Sequence, residues 1–179
     1  MGCASIMPYR RKSSSLSSCL DSVEAIFDTD IGLIDAEYDD NDDDGPRDGG
    51  NENAIFLVGH HLGDKGCKRI VNGLQDPCRD YYKLYLCDNR IGKLGSSYIS
   101  ELLKYNTTTL MELSLGNNHI GNEGATQLAC ALSVNNTLEM LNLERNDIGA
   151  QGVAALSSAL EHDNNTLQWF TAPSHYWLN

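Results

Sequence analysis

Leu113-Ser114-Leu115-Gly116-Asn117-Asn118-His119-Ile120-Gly121-Asn122-Glu123-Gly124 is the stretch from which the fold can be read. Its pattern returns at Leu84-Tyr85-Leu86-Cys87-Asp88-Asn89-Arg90-Ile91-Gly92-Lys93-Leu94-Gly95 and at Leu141-Asn142-Leu143-Glu144-Arg145-Asn146-Asp147-Ile148-Gly149-Ala150-Gln151-Gly152. The three starts lie 29 and 28 residues apart, and the extra residue falls in the turn at 106–109. A period of this length means a stack of similar units, none of which can bury its apolar faces alone. The leucine alternation puts two apolar side chains on one face of a short strand. The asparagine offers an amide donor and a carbonyl acceptor to backbone groups stranded where the strand ends. The paired glycines permit a tight turn and a close approach before a helix.

In the second half of each unit the apolar residues move to helical spacing: Ile99, Leu102 and Leu103; Leu128, Ala129 and Leu132; Val153, Leu156 and Leu160. Small residues such as Ala125, Ala129 and Ala155 let these helices approach the strands. A weaker copy, Ile55 to Gly66, starts 29 residues before Leu84 and has His60 in the asparagine position. Its helix should stop at Pro77. Leu167 predicts a further strand near Phe170, but Thr171-Ala172-Pro173 interrupts the pattern. Two readings of the aromatic group Trp169, Phe170, Tyr176 and Trp177 stay open. It folds back as a cap over the last unit, or it leaves an apolar end that supports weak self-association.

Taken together, the repeats resemble the leucine-rich repeat of the ribonuclease-inhibitor subtype, L-x-x-L-x-L-x-x-N-x-I-G-x-x-G. The resemblance covers about residues 54–170. It implies an α/β fold: a short solenoid with a concave parallel sheet, convex helices and a disordered N-terminal tail. The expected organisation is a tail at 1–53, a degenerate capping repeat at 54–80, three repeats and the start of a fourth at 81–170, and an aromatic tail at 171–179. His60, Asn89, Asn118 and Asn146 are expected to stack as a hydrogen-bonded ladder between units.

Charge divides the chain at the same boundary. Of its 179 residues, 13 are Lys or Arg and 25 Asp or Glu, a formal net charge of −12. Residues 1–53 hold 13 of those acids and only four cations, Arg10, Arg11, Lys12 and Arg47. With no basic stripe to displace phosphate counterions, nucleic acid is excluded as a partner. Such a tail cannot bury enough surface to offset its ordering entropy. Within it, Asp40-Asn41-Asp42-Asp43-Asp44-Gly45 imitates the start of a calcium loop, yet position 7 is Pro46 and position 12 is Asn51. It reads as a solvated linker, and no metal or other cofactor is expected. At the extreme N-terminus, Gly2 and Cys3 are placed for myristoylation and palmitoylation, with Arg10, Arg11 and Lys12 to reinforce attachment to an anionic leaflet. Ile6 departs from the motif, which calls for Ser or Thr there.

Six cysteines at 3, 19, 67, 78, 87 and 130 form no CxxC pair. No secretory signal is recognisable, so six free thiols in a reducing compartment are expected. The chain therefore reads as intracellular, in the cytoplasm or at the inner face of a membrane. Asn-x-Thr sequons at 106, 135 and 164 recur once per unit and read as turn chemistry. No phosphate loop of the G-x-x-x-x-G-K-[ST] type and no nucleophile–base motif is present, so an enzyme is not expected. Binding remains, and the resemblance places it on the concave face. There the strand alternation turns outward Lys83, Tyr85, Glu112, Ser114 and Asn142, with Glu144, and with Asp88, Asn117 and Arg145 just beyond. A protein partner on this surface is the leading reading. The alternatives are a regulator of an enzyme, such as a small-GTPase-activating protein, and a fragment of a longer array without independent function.

Overall fold

In the computed structural model, the structure describes residues 54–75, 81–104, 109–162 and 164–172. Strands and helices alternate: β1 (Ala54–Phe56), α1 (Gly63–Leu74), β2 (Lys83–Tyr85), α2 (Lys93–Lys104), β3 (Glu112–Ser114), α3 (Gly121–Leu132), β4 (Met140–Asn142), α4 (Ala150–His162) and β5 (Trp169–Thr171). The five strands form one parallel sheet in the order β1-β2-β3-β4-β5. Each strand therefore lies beside its neighbour in sequence, joined by a helix returning along the other side. Outside the described residues lie Gly2 and Cys3, the basic trio at 10–12, the acidic run at 40–45, Pro77, Asn106, Tyr176 and Trp177.

Register follows the repeat. Ile55, Leu84, Leu113, Leu141 and Phe170 are successive Cα partners across the sheet. From β2 to β4 these leucines are buried, as are Leu57, Leu86, Leu115 and Leu143 two residues further on. Helices contribute Ile70, Val71 and Leu74 from α1, Ile99, Leu102 and Leu103 from α2, Leu128 and Leu132 from α3, and Leu156 from α4 to the same core. Ala125 and Ala131 are fully buried, which is what the small residues in these helices make room for. At Gly95 the close approach is literal. An added Cβ would stand 2.5 Å from Ile91 Cγ2 and 2.8 Å from Asp64 Oδ1, so no side chain fits there.

Polar groups are also buried in rows that run between coils. Asn118 Oδ1 accepts from the backbone N–H of Asn89 at 3.0 Å and of Ile91 at 2.9 Å, both in the preceding coil. Its Nδ2 donates to the Leu86 and Leu115 carbonyls. Asn89 and Asn146 occupy the same slot and are fully buried. Their amides donate to the carbonyls of Leu57 and Leu115, each one coil earlier. Every member thus fastens its own coil to the one before it. Asn146 Oδ1 lacks a hydrogen-bond partner, at the one junction where the spacing drops from 29 to 28 residues.

His60 differs from the ladder expectation, for it stands exposed. The side chain in this slot works on the preceding coil, and no described coil precedes β1. A second row lies where each helix gives way to the next strand. Asn135 Nδ2 donates to Leu103 O at 2.9 Å and Asn164 Nδ2 to Leu132 O at 2.8 Å. Asn135 Oδ1 accepts from Leu138 N–H and Asn164 Oδ1 from Leu167 N–H, both at 2.9 Å. These are sequon asparagines, 4 % and 8 % exposed, so they serve as turn chemistry.

The fifth strand continues the parallel register despite Thr171-Ala172-Pro173. Three residues are all a strand of this solenoid needs. Alternation then sends Phe170 toward the core and leaves Trp169 68 % exposed on the sheet. Trp169 therefore does not fold back as a cap over the last coil.

Candidate functional site

The face of the sheet turned away from the helices carries three side-chain rows. Ala54, Lys83, Glu112, Met140 and Trp169 are register partners in the first, and Phe56, Tyr85, Ser114, Asn142 and Thr171 in the second. One step past the strands, Val58, Cys87, Gly116 and Glu144 hold equivalent repeat positions. Parallel pairing extends into these turns, where Asp88 N–H donates to Gly116 O and Asn117 N–H to Glu144 O.

A fixed polar centre occupies the first two rows. Tyr85 Oη donates to Glu112 Oε2 at 2.6 Å, while Lys83 Nζ lies 3.0 Å from Glu112 Oε1. Both carboxylate oxygens are thus engaged. The hydrogen bond from Tyr85, aided by Lys83, holds the Glu112 carboxyl below its usual range, against the opposing effect of burial. The same bond, then burial and the charge of Glu112, pushes the Tyr85 phenol up to about 12. Glu112 is consequently an anion and Tyr85 a neutral donor throughout the physiological range. Phe56 stacks on the other side of Tyr85, its ring centroid 4.8 Å away and the planes 3° apart, so that each ring fixes the other in place.

Ser114 is nearly buried, its hydroxyl 3.0 Å from Cys87 Sγ. Asn142 Oδ1 accepts from Glu144 N–H and from the Thr171 hydroxyl. Asp88 and Asn117 bond to each other through Asn117 Nδ2 and Asp88 Oδ1. Glu144 and Arg145 are exposed beside them. Asp88, Asn117 and Arg145 all have left-handed backbones, with φ of 59°, 55° and 51°. Such a conformation is costly for side chains other than Asn and Asp, and its recurrence shows that the coil, not the residue, sets the turn.

Lys83, Tyr85 and Glu112 are therefore brought together, Asp88 joins Asn117, and Asn142 joins Thr171. The face also presents large apolar side chains that the nine polar candidates leave out. Phe56 is 63 % exposed at one edge and Trp169, beside exposed Met140, lies at the other. Val58 adds to the first edge. Four strand spacings separate the two edges, about 19 Å. The signal for these residues was the register itself, carried into the imperfect first and last units. Among the described residues, no group of three or more His, Cys, Asp or Glu could hold a metal ion. Among the same residues, no helix is long and apolar enough to cross a membrane.

Strand, asparagine turn and helix recurring around one sheet define a leucine-rich-repeat solenoid. A family model described as "Leucine Rich repeat" matches residues 106–129 and 134–157. Ribonuclease inhibitor from Sus scrofa is 30% identical over 151 residues, 69% of this chain and 33% of that protein. The chain thus spans about a third of the length of this relative. Leiomodin-1 Actin-Binding Site 2 (ABS2) has a similar fold, with a TM-score of 0.62 and 18% identity over 93% of this chain and 83% of that one. The chain belongs to the leucine-rich-repeat proteins, in their ribonuclease-inhibitor-like form.

Proposed function

We propose that this chain is a non-enzymatic interaction module that binds a protein partner on the concave face of its sheet. The observation that carries the reading is the layout of that face: exposed Phe56 and Trp169 at its edges around the bonded Lys83–Glu112–Tyr85 centre. Aromatic anchors around a preordered polar centre suit protein recognition, because little side-chain freedom is lost on binding. Lys83, Tyr85, Glu112, Ser114 and Asn142 are assigned to the contact surface, with Asp88, Asn117, Glu144 and Arg145 at its margin. The names of the two comparison proteins support the coarse reading: one inhibits a ribonuclease, the other is a site that binds actin, and both targets are proteins.

The test is affinity capture with wild-type chain, with a Tyr85→Ala, Arg145→Ala double variant, and with a convex-side control, Glu101→Ala, Lys104→Ala. A specific partner is recovered equally by wild type and control and at least about tenfold less by the double variant, the loss expected from removing hot-spot contacts. Equal recovery by all three discredits the concave face. Attachment of the chain at the inner face of a membrane through Gly2 and Cys3 is part of the same proposal. Intact mass of protein made in a eukaryotic host must then show acyl additions, and an unmodified mass removes this part.

A further inference from the structure

The asparagine ladder does not close every seam between coils in the same way. Between the coils of β2 and β3 it is complete, for Asn118 Oδ1 takes the N–H groups of both Asn89 and Ile91. Between the coils of β1 and β2, Asn89 Oδ1 takes one N–H, from Leu62, at 3.3 Å. Between the coils of β3 and β4 the repeat register pairs Asn146 Oδ1 with the N–H groups of Asn118 and Ile120, yet that oxygen accepts from neither. The two N–H groups have no other acceptor among the described residues. The turn glycines follow the same division. Gly63 and Gly121 are left-handed, with φ of 57° and 64°, and their N–H groups donate to the backbone carbonyls of Asn89 and Asn146 at 2.8 and 2.9 Å. Gly92 is not in that conformation, and its N–H goes to Asp64 Oδ1 at 2.7 Å. Where the glycine engages the backbone of the asparagine, the side-chain oxygen of that asparagine is reached by one long bond or by none.

Two donors and one acceptor are thus left at a single seam, on Asn118, Ile120 and Asn146, none of which is more than 2 % exposed. Buried polar groups in native proteins are paired with protein or with ordered water, and a buried water typically makes about three hydrogen bonds. A water molecule can accept from both N–H groups and donate one O–H to Asn146 Oδ1. An ion suits the set less well, because an anion would face the Asn146 oxygen and a cation the two N–H groups. We propose that the seam between the coils of β3 and β4 is a binding site for one buried water, held by the N–H groups of Asn118 and Ile120 and by Asn146 Oδ1. The coils on one side of this seam carry the Lys83–Tyr85–Glu112 centre, and those on the other carry the Met140–Trp169 edge. The water therefore sits at the joint between the two halves of the candidate face, whatever that face binds.

Solution NMR of the full chain, labelled with carbon-13 and nitrogen-15, tests the proposal. Couplings across hydrogen bonds should join the Asn89 and Ile91 nitrogens to the side-chain carbonyl carbon of Asn118. None should join the Asn118 and Ile120 nitrogens to that of Asn146. The Asn118 and Ile120 amide protons should instead show cross-relaxation with a long-lived water, at least about fivefold stronger than at Asn89 and Ile91, which are bonded directly. A Ser96→Ala, Ser114→Ala variant removes two buried hydroxyls that could relay magnetisation from solvent, and the water contacts should persist in it. Couplings from Asn118 and Ile120 to Asn146 would reveal a direct rung and overturn the proposal. It is equally overturned if these amides show neither coupling nor water contact, or if the contacts vanish in the serine variant.

Discussion

The first and last coils are built from the same repeat but finish differently. In α1 the inward residues Cys67, Ile70, Val71 and Leu74 are all buried, and polar and charged side chains cover the outer side. In α4 only Gly152, Leu156 and Ala159 are buried, while Val153, Ala155, Leu160, Leu167 and Phe170 at the same end are only partly covered. A solenoid gains its core from neighbours, so a terminal coil needs either a polar outer face or a cover. The first coil has the polar face, and the last retains the apolar surface of an interior coil.

Substitution in the two helices should give the largest difference. Ile70→Ala in α1 should cost about 2–5 kcal/mol, as for a fully buried aliphatic residue, and Leu160→Ala in α4 clearly less. Urea denaturation of the two variants measures both, and equal losses would mean that the last coil is as well packed as the first. Next come the turn slots. Asn118→Ala strands the N–H groups of Asn89 and Ile91 and should cost about 1–3 kcal/mol, whereas exposed His60→Ala should stay within about 0.5 kcal/mol. A similar loss at His60 would show that the first coil shares the interior ladder.

Thiol labelling gives a kinetic version of the contrast. Cys67 is buried on the inward face of α1, and that burial, with the Asp64 charge, pushes its thiol up to about 12. At pH 8 it should remain unmodified in the native protein while exposed Cys130 reacts. Early labelling of Cys67 would show that the first coil opens readily.

The smallest effect is expected from Tyr85→Phe, which tests the concave centre that both ends flank. Tyr85 has its folded pKa raised from 10.0 to about 12, so its contribution is complete below pH 10 and is lost as pH rises toward 12. Glu112 has a lowered folded pKa, so its contribution is present above its ordinary value of 4.5 and lost as pH falls through the lowered one. Tyr85→Phe should therefore lower stability slightly between about pH 5 and 10, where both contributions are present, and approach wild type at both extremes, which flattens the profile. Thermal unfolding from pH 3 to 11 reads this, and an unchanged profile would break the link between the two side chains.

Most of the solenoid was legible from Leu84, Leu113 and Leu141 with their following Leu, Asn, Ile and Gly, because those positions obey backbone geometry common to every coil. The ends were less legible. Pro173 made the last strand look broken, yet parallel pairing to β4 required only Trp169–Thr171. His60 matched the asparagine slot by register, but the slot has work to do only when a coil precedes it. On the candidate face, alternation identified which polar residues turn outward. It did not reveal that Phe56 stacks on Tyr85 or that Glu112 uses both oxygens, because those contacts join residues 27 to 29 positions apart.

The buried asparagines at the strand entrances bear on how this sequence is processed. Asn135 and Asn164 each spend the side-chain amide nitrogen on a neighbouring coil's carbonyl, and that nitrogen is the atom a glycosyltransferase would modify. A sugar placed there could be added only to an unfolded chain and would then block closure of the stack. In this protein those two Asn-x-Thr triplets mark the beat of the repeat rather than an address for carbohydrate.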